Sequence, residues 1–339
     1  MKAVGYRQSL PITNPESLMD LELPDPRPAG PDLLVQVKAI SVNPVDAKVR
    51  MRSAPPTGET KVLGWDASAV VVETGPEVTM FRAGDEVWYA GSIVRPGTNA
   101  QLHLVDERIV GRKPRSLDFA QAAAMPLTSI TAWELLFDRL QIAPGKAPGD
   151  NSLLIIGAAG GVGSILTQLA CRLTSLTVIA TASRPQTSEW VRSLGAHEVI
   201  DHSQPLSEEL QRIGIPNVTH VASLTKTDLH YPEIVKALAP QGRLALIDDP
   251  SPIDISQLKQ KSISLHWELM FTRSLFETSD MIAQHRLLSE MAELVDAGVI
   301  RTTFAEHYGL INADNLRRAH ALIESGSSKG KIVLEGFQA

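Results

Sequence analysis

Cysteine is almost absent from this 339-residue chain, in which Cys171 is the single example. One cysteine can form neither an intrachain disulfide nor a cysteine-based zinc cluster, and it favours a reducing, cytoplasmic location. No hydrophobic run approaches the roughly 18 residues of a membrane span, and the N-terminus lacks the apolar core of a signal peptide. The sequence therefore predicts a cytoplasmic protein without a membrane partner.

An excess of basic residues is also missing. Lys and Arg number 32 against 38 Asp and Glu, which gives a net charge of −6 at pH 7. No basic stripe is present, and this argues against a nucleic-acid partner. The composition is that of a globular protein, with 43% hydrophobic and 21% charged residues, and the length favours two domains over one.

The most informative segment runs from Leu153 to Leu173. Four consecutive aliphatic residues predict a buried strand, a glycine-rich turn follows, and helical spacing of apolar residues then predicts an amphipathic helix. This order is the context of a dinucleotide-binding fingerprint, whose glycines admit a pyrophosphate and allow close helix packing. The candidate cofactor-binding residues of the turn are Ala158, Gly160, Gly161, Val162 and Gly163. A glycine-rich turn that binds nothing is the alternative interpretation.

The chain divides into regions with different patterns. Short strands separated by Pro and Gly turns dominate the first 110 or so residues and predict a small β-barrel. From Ser152 onward strands and helices alternate, which predicts an α/β fold with a doubly wound parallel sheet of Rossmann type. We therefore place a nucleotide-binding domain at 127–266, inserted into a catalytic domain made from 1–126 and 267–339.

This layout resembles the medium-chain dehydrogenase/reductase superfamily over essentially the whole chain. Within it, the chain is most similar to the quinone oxidoreductase branch, in the subgroup called zinc-type alcohol dehydrogenase-like. The resemblance implies a GroES-like β-barrel, a Rossmann domain and an active site in the cleft between them. The motifs that carry it are Ser41-Val42-Asn43-Pro44-Val45-Asp46, Gly64-Trp65-Asp66, Gly84-Asp85-Glu86-Val87, the Ala158–Gly163 turn, His266–Arg273 and Gly330-Lys331-Ile332-Val333-Leu334.

The subgroup name implies a metal that the residues do not support. Zinc members carry Cys at the position of Asn43 and Gly-His-Glu in place of Gly64-Trp65-Asp66, and their four-cysteine lobe is missing between Ala90 and Gln101. A catalytic zinc needs three convergent N, S or O ligands, whereas the 9 histidines are scattered along the chain. We therefore expect no metal site.

The end of the second Rossmann strand indicates the cofactor. An Asp or Glu about 20 residues after the glycines binds the ribose 2′-hydroxyl and selects NAD, but here the strand ends in Thr181-Ala182-Ser183-Arg184-Pro185 and the next carboxylate is Glu189. Ser183 can donate a hydrogen bond, and Arg184 can bind a phosphate through its planar guanidinium. The sequence therefore predicts NADP(H), with Arg184 as a solvated turn residue as the alternative.

The resemblance implies further contacts at the nicotinamide end of the cofactor. Thr131 matches the family threonine near the nicotinamide, and Thr128 of the same segment is a further candidate. Asn43 matches the Asn of Asn-Pro-x-Asp. Lys331 matches the Lys of the terminal Gly-Lys-x-Val strand, which reaches the cofactor in several relatives. As alternatives, Thr131 could hydrogen-bond within its own helix and Asn43 could cap the turn before Pro44.

Without zinc, the favoured substrates are those whose reduction gives a delocalised anion, namely quinones and α,β-unsaturated carbonyls. A simple alcohol fits less well, because its proton must leave as the hydride leaves. Related enoyl reductases have a tyrosine proton donor after Asn-Pro-x-Asp, which this chain lacks. The candidate catalytic residues are Asn43, Asp46, Trp65, Tyr89 and His266. Packing for the aromatic residues, helix capping for Asp46 and an orienting role for His266 are the structural alternatives.

The sequence thus predicts an NADPH-dependent oxidoreductase that reduces a quinone or an enone without a metal ion. Two interpretations compete with it: a zinc-dependent alcohol dehydrogenase, and a nucleotide-binding protein without turnover, comparable to relatives recruited as lens crystallins. The last sheet strand, expected at Ser262–Leu265, would be an exposed edge. Exposed edges tend to be paired, and relatives often pair this one across a two-fold axis, so we expect a homodimer.

Overall fold

The computed structural model describes residues 1–146 and 151–338 of the chain. These residues form two compact units. The split unit consists of Met1–Ile130 together with Phe271–Ala339, and the central unit consists of Thr131–Met270. The sequence analysis placed the corresponding boundaries after residues 126 and 266.

Short strands dominate the first part of the split unit, as the Pro- and Gly-rich pattern predicts. The two N-terminal strands of this unit show too little alternation of apolar and polar residues to be predicted from the sequence. In chain order the elements are β1 (Lys2–Tyr6), β2 (Met19–Glu22), β3 (Asp32–Val42), α1 (Pro44–Arg52), β4 (Lys61–Val62), β5 (Ala67–Thr74), β6 (Glu86–Tyr89), β7 (Leu102–Asp106), β8 (Val110–Arg112), α2 (Phe119–Ala123) and α3 (Pro126–Trp133).

The central unit alternates strands and helices. All the strand pairs of its six-stranded sheet are parallel, and the order β11-β10-β9-β12-β13-β14 is that of a doubly wound Rossmann fold. The elements are β9 (Ser152–Ile156), α4 (Gly161–Leu173), β10 (Thr177–Thr181), α5 (Pro185–Ser193), β11 (Glu198–Ile200), α6 (Leu206–Arg212), β12 (Val218–Ser223), α7 (Thr227–Ala237), β13 (Leu238–Leu246) and β14 (Ser264–Trp267). The predicted α/β fold class is confirmed.

The chain then returns to the split unit with α8 (Thr272–Leu275), α9 (Ala283–Asp296), β15 (Phe304–His307), α10 (Ala313–Glu324) and β16 (Lys331–Glu335). β16 pairs antiparallel with β3, with Ile332 opposite Val42. The main sheet of the unit has the order β15-β16-β3-β5-β6-β8, with β7 also paired to β3. This pairing joins the end of the chain to the residues that lead from β3 into α1.

Buried apolar side chains hold the central unit together. Leu154 on β9, Ile179 on β10 and Leu244 on β13 are fully buried in one cluster with Leu210 of α6 and Ile234 of α7. Burial of such a side chain contributes about 1.5–3 kcal/mol. In the part of the chain that the structure describes, every helix is too short or too polar to cross a membrane.

Two predicted boundaries need correction. The sequence pattern begins the last sheet strand at Ser262, but Ser262 has a φ of +50° and ends the 3₁₀ helix Ile255–Lys261, so the strand begins at Ser264. The pattern also places Pro126 between two helices. It instead begins α3, because the first turn of a helix needs no N–H donor from its first residue.

Candidate functional site

The glycine turn of the central unit connects β9 to α4. Gly157 has a φ of +82°, a left-handed conformation that favours glycine. The side chain of Ala158, the next residue, is fully buried. Because the positive φ falls on Gly157, the first fingerprint position tolerates alanine.

The two other fingerprint glycines have different neighbours. A Cβ on Gly163 would lie 2.5 Å from the Ala158 Cα and 2.5 Å from the Gly157 carbonyl oxygen, so close packing of α4 on the turn requires glycine there. A Cβ on Gly160 would meet only the Gly157 oxygen, at 3.5 Å, among the described residues. The chain's own packing therefore does not require Gly160, which agrees with a ligand approaching its backbone.

The N-terminus of α4 has the properties of an anion site. The first N–H groups of a helix have no partners within it, and the helix dipole is positive at this end. The first turn of α4 contains no acidic residue, and Gly160 precedes the helix in an extended conformation. A pyrophosphate fits this end of the helix.

A cavity of about 300 Å³ lies at the carboxyl ends of β10 and β11 and is lined by Ser183, Arg184, Arg192 and Arg212 among others. Asp201 and Glu209 also line it. Asp201 Oδ1 accepts the Ser203 backbone N–H at 2.9 Å, and the Glu209 carboxylate accepts two hydrogen bonds from Arg212, of 2.7 and 2.8 Å. These bonds hold the pKa of Glu209 at about 2. Ser183 and Arg184 are exposed, so the cavity offers guanidinium groups to an anion.

A buried polar cluster lies in the split unit around Asp66, which is fully buried. Its Oδ2 atom accepts hydrogen bonds from Ser41 Oγ at 2.7 Å, Asn43 Nδ2 at 3.1 Å and Lys331 Nζ at 3.1 Å. Its Oδ1 atom accepts one from the Leu127 backbone N–H at 3.1 Å. Four donors therefore satisfy this carboxylate, and one of them is charged.

The ammonium of Lys331 has three donors, and three oxygens accept from it. They are Asp66 Oδ2, Asn43 Oδ1 and the Val42 carbonyl, the last at 3.2 Å. Lys331 is 3% exposed and Asn43 is 1% exposed. The amide of Asn43 is thus held at both ends, with its oxygen on Lys331 and its nitrogen on Asp66.

Asp46 lies next to this cluster in the first turn of α1. Its Oδ2 accepts the Asn43 backbone N–H at 2.7 Å, and its Oδ1 is buried without a hydrogen-bond partner among the described residues. Burial raises the pKa of Asp46 to about 7, more than the Asn43 N–H and the Lys331 charge lower it. Burial therefore favours the protonated, neutral form of this carboxyl group.

Tyr89 is fully buried and stacks on His103, with ring centroids 5.5 Å apart. The Pro96 carbonyl lies 2.9 Å from His103 Nε2 and can only accept, so Nε2 donates and Nδ1 accepts from the Tyr89 hydroxyl at 3.0 Å. Burial lowers the pKa of His103 to about 4 and raises that of Tyr89. The proton of the Tyr89 hydroxyl is therefore used in the hydrogen bond to His103.

Trp65 is also fully buried. Its Nε1 donates to the Ser92 carbonyl at 3.1 Å, and its ring packs edge-on against Phe271, with centroids 6.1 Å apart. These contacts hold the indole within the split unit. The contacts of Trp65, like those of Tyr89, are typical of an aromatic side chain in a protein core. A role for either residue in catalysis stays a prediction.

The remaining predicted residues lie on α3 and β14. Thr128 is buried and its Oγ1 donates to the Met125 carbonyl at 3.0 Å, and Thr131 is 5% exposed. His266 is partly exposed on β14 and lies 3.3 Å from Ser264 Oγ. Burial, then the positive charges of Arg243 and Arg139, lower the pKa of His266.

The sequence analysis gave no role at the site to four of these contributors: Ser41 and Asp66, which it named only within family motifs, the Leu127 N–H and Arg192. Ser41 and Asn43 are polar residues two positions apart at the end of the apolar strand β3, and this alternation was an available signal. No local pattern could identify the hydrogen-bonding role of Asp66, because its partners come from three distant segments.

Two family models match the chain: the alcohol dehydrogenase GroES-like domain at residues 29–115 and the zinc-binding dehydrogenase family at residues 194–334. The chain is also 38% identical to the zinc-type alcohol dehydrogenase-like protein of Staphylococcus epidermidis, over 98% of this chain and 99% of that protein. The chain belongs to the medium-chain dehydrogenase/reductase superfamily. The family and fold predicted from the sequence motifs are thereby confirmed.

Solved structures agree with this membership. A Rhizobium etli protein with a provisional designation as a zinc-dependent alcohol dehydrogenase is 59% identical, with a TM-score of 0.96 over 100% of this chain and 99% of that chain. Escherichia coli quinone oxidoreductase, solved with NADPH, is 26% identical, with a TM-score of 0.84 over 99% of this chain and 100% of that chain. The chain is therefore an oxidoreductase of this superfamily, with relatives that use NAD(P)H.

The zinc implied by these family names can be tested against the side chains present. Trp65 Nε1 is a hydrogen-bond donor without a free lone pair, so it cannot take the place of a histidine ligand. The Asn43 and Asp66 oxygens already bind the ammonium of Lys331. Over residues 1–146 and 151–338, no three His, Cys, Asp or Glu side chains are grouped as metal ligands. These residues do not fit a catalytic zinc.

Proposed function

We propose that this member of the medium-chain dehydrogenase/reductase superfamily is an NADPH-dependent reductase of quinones or α,β-unsaturated carbonyls that acts without a metal ion. The observation that carries the proposal is the hydrogen bonding of Asn43 and Asp66 to Lys331, because it occupies the oxygens that a metal would need. Without a Lewis acid, the substrate must itself delocalise the charge that hydride addition creates. Quinones and enones do this, whereas a simple aldehyde or ketone, the oxidised form of a simple alcohol, gives a localised alkoxide.

The central unit supports NADPH as the cofactor. The pyrophosphate would bind at the Gly160–Gly163 turn and the N-terminus of α4. Ser183, Arg184 and Arg192 would bind the 2′-phosphate in the cavity beside β10. When bound, the cofactor supplies the hydride, and the protein holds and orients it.

The contacts proposed for the nicotinamide end come from Asn43, Thr128, Thr131 and Lys331. Lys331 already donates to three oxygens, so a contact with the cofactor would have to replace one of them. We propose that Lys331 acts through Asn43, whose amide it holds in one orientation. The Thr128 hydroxyl donates to the Met125 carbonyl just before α3, and its oxygen can still accept a second hydrogen bond.

The proton that completes the reduction has several candidate sources. Asp46 is one, since its pKa of about 7 keeps a proton on the carboxyl group of part of the population at neutral pH. His266 is another, although its lowered pKa leaves less imidazolium at neutral pH. Tyr89 is less suited, because its hydroxyl donates to His103. Hydroquinone and enolate anions also take protons from water.

The proposed function is tested by turnover with a substrate panel. We expect the purified protein to oxidise NADPH when a para- or ortho-quinone or a 2-alkenal is the substrate. The oxidation of a simple alcohol by NADP⁺ should be at least about 100-fold slower. The absorbance of NADPH reports both reactions. Tight NADPH binding without turnover on any carbonyl would favour a nucleotide-binding protein instead, and zinc-dependent alcohol oxidation would favour an alcohol dehydrogenase.

A second copy of this chain is the proposed protein partner. β14 ends the strand order of the central sheet, and Trp267 and Leu269 beside this edge are 54% and 50% exposed. An apolar, unpaired edge favours pairing with another strand. Light scattering should give the mass of a homodimer, and a monomer at micromolar concentration would contradict this proposal.

A further inference from the structure

The cation in the buried cluster of the split unit belongs to the chain itself. Lys331 Nζ lies among Asp66 Oδ2, Asn43 Oδ1 and the Val42 carbonyl oxygen. One carboxylate and one ammonium give this group no net charge. Every ammonium donor has an oxygen acceptor, so this is a complete ligand set for a primary ammonium ion.

Strand pairing places the ammonium there. Lys331 is the first residue of β16, and the next residue, Ile332, lies opposite Val42, the last residue of β3. Asn43 follows Val42 directly, so its amide comes within reach of the lysine side chain. The position is therefore fixed by a sheet register that joins residues almost 290 positions apart.

Two of the ammonium's partners lie in motifs that carry the family resemblance. By that resemblance, Asn43 takes the position of a cysteine in zinc-binding members, and Asp66 takes the position of the glutamate of Gly-His-Glu. Burying a charge pair is costly, and apolar residues can often replace such a pair without loss of stability. A buried ammonium at this position thus calls for an explanation other than stability.

We propose that the Lys331 ammonium is the resident cation of this site, and that without it the Asp66, Asn43 and Val42 oxygens form a binding site for a short primary alkylammonium ion. The oxygens offer one negative charge and no thiolate or imidazole, a set that suits a monovalent ammonium better than zinc. Lys331→Ala removes the ammonium and most of its alkyl chain. The atoms removed, Cγ, Cδ, Cε and Nζ, correspond to n-propylammonium.

This inference extends the proposal that the protein acts without a metal ion. It rests on the proposed function only for its relevance to catalysis. The tests use cation binding and unfolding rather than turnover. A protein that reduced no quinone or enone would therefore leave the inference standing. Conversely, failure of these binding tests would leave NADPH-dependent reduction open.

The experiment measures thermal unfolding and calorimetric binding for Lys331→Ala. Loss of the ammonium leaves Asp66 buried without its counter-ion, and we expect the unfolding midpoint to fall by roughly 5–10 °C. n-Propylammonium should bind the variant saturably and restore at least half of the lost unfolding temperature. Tetramethylammonium, which has the same charge but no N–H donor, should restore nothing.

Matched variants complete the design. Lys38→Ala removes a lysine of the neighbouring strand β3 whose ammonium donates to the exposed side chain of Gln36, and it should not create an n-propylammonium site. Adding Asp66→Asn to Lys331→Ala should abolish the binding. Equal rescue by tetramethylammonium, or no n-propylammonium binding by folded Lys331→Ala, would overturn the inference.

If Lys331→Ala alone does not fold, the neutral pair Lys331→Met with Asp66→Asn decides the matter. This double variant removes both charges at nearly constant side-chain length, and we expect it to be folded and more stable than Lys331→Met alone. A double variant that is no more stable than Lys331→Met would contradict the pairing and overturn the proposal.

Discussion

Gly163→Val should strongly weaken NADPH binding and destabilise the central unit. The new Cβ would lie 2.5 Å from the Ala158 Cα and the Gly157 oxygen, both of them backbone atoms that cannot rotate away. We expect a loss of about 1–3 kcal/mol of unfolding free energy from the forced separation of α4 and the turn. We also expect at least about a 100-fold rise in the NADPH dissociation constant. Denaturant unfolding and fluorescence titration with NADPH measure the two effects.

Gly160→Ala is the matched variant that separates cofactor binding from folding. Gly160 has φ −73° and ψ 178°, which any residue can adopt, and its Cβ would meet only one oxygen at 3.5 Å among the residues described. We expect stability within about 0.5 kcal/mol of the unchanged protein and at least a roughly tenfold weaker NADPH complex. Unchanged NADPH affinity in Gly160→Ala would show that the pyrophosphate does not approach this turn.

Arg184→Ala should raise the KM for NADPH roughly 10- to 100-fold while leaving the KM for NADH nearly unchanged. A hydrogen bond between a guanidinium and a phosphate is worth about 1.5–3 kcal/mol, which corresponds to that ratio. NADH lacks the 2′-phosphate and therefore loses nothing. Initial rates with both cofactors and one quinone provide the measurement.

Arg212→Ala is the control for Arg184→Ala. Arg212 lines the same cavity, but Glu209 neutralises its guanidinium through two hydrogen bonds. Its loss should therefore change the NADPH preference less than the loss of Arg184 does. Equal rises in KM for NADPH and NADH in Arg184→Ala would show that this side chain does not distinguish the 2′-phosphate.

The sequence was sufficient for the parts of the molecule that depend on local pattern. The strand, glycine turn and helix at Leu153–Leu173 follow from residues adjacent in the chain, and the structure has β9 and α4 there. The alternation of strands and helices along the chain also predicts the parallel, doubly wound sheet around them. Such features require only short-range periodicity and the conformational freedom of glycine.

The buried cluster could not be predicted in the same way. Asp66 and Lys331 are 265 residues apart, and they meet only because β16 pairs with β3. The sequence identified Asn43 and Lys331 through family resemblance, but it did not show that they bind each other. The partner of Tyr89 was also beyond the sequence, since neither its burial nor its bond to His103 has a local signal.

The central claim is that this oxidoreductase transfers hydride from NADPH without the help of a metal ion. The most direct measurement is zinc content and quinone-dependent NADPH oxidation in the same preparation, before and after chelation and after zinc is added back. We predict that turnover per chain stays constant while zinc falls far below one ion per chain. Turnover that falls and returns in proportion to bound zinc would contradict the account.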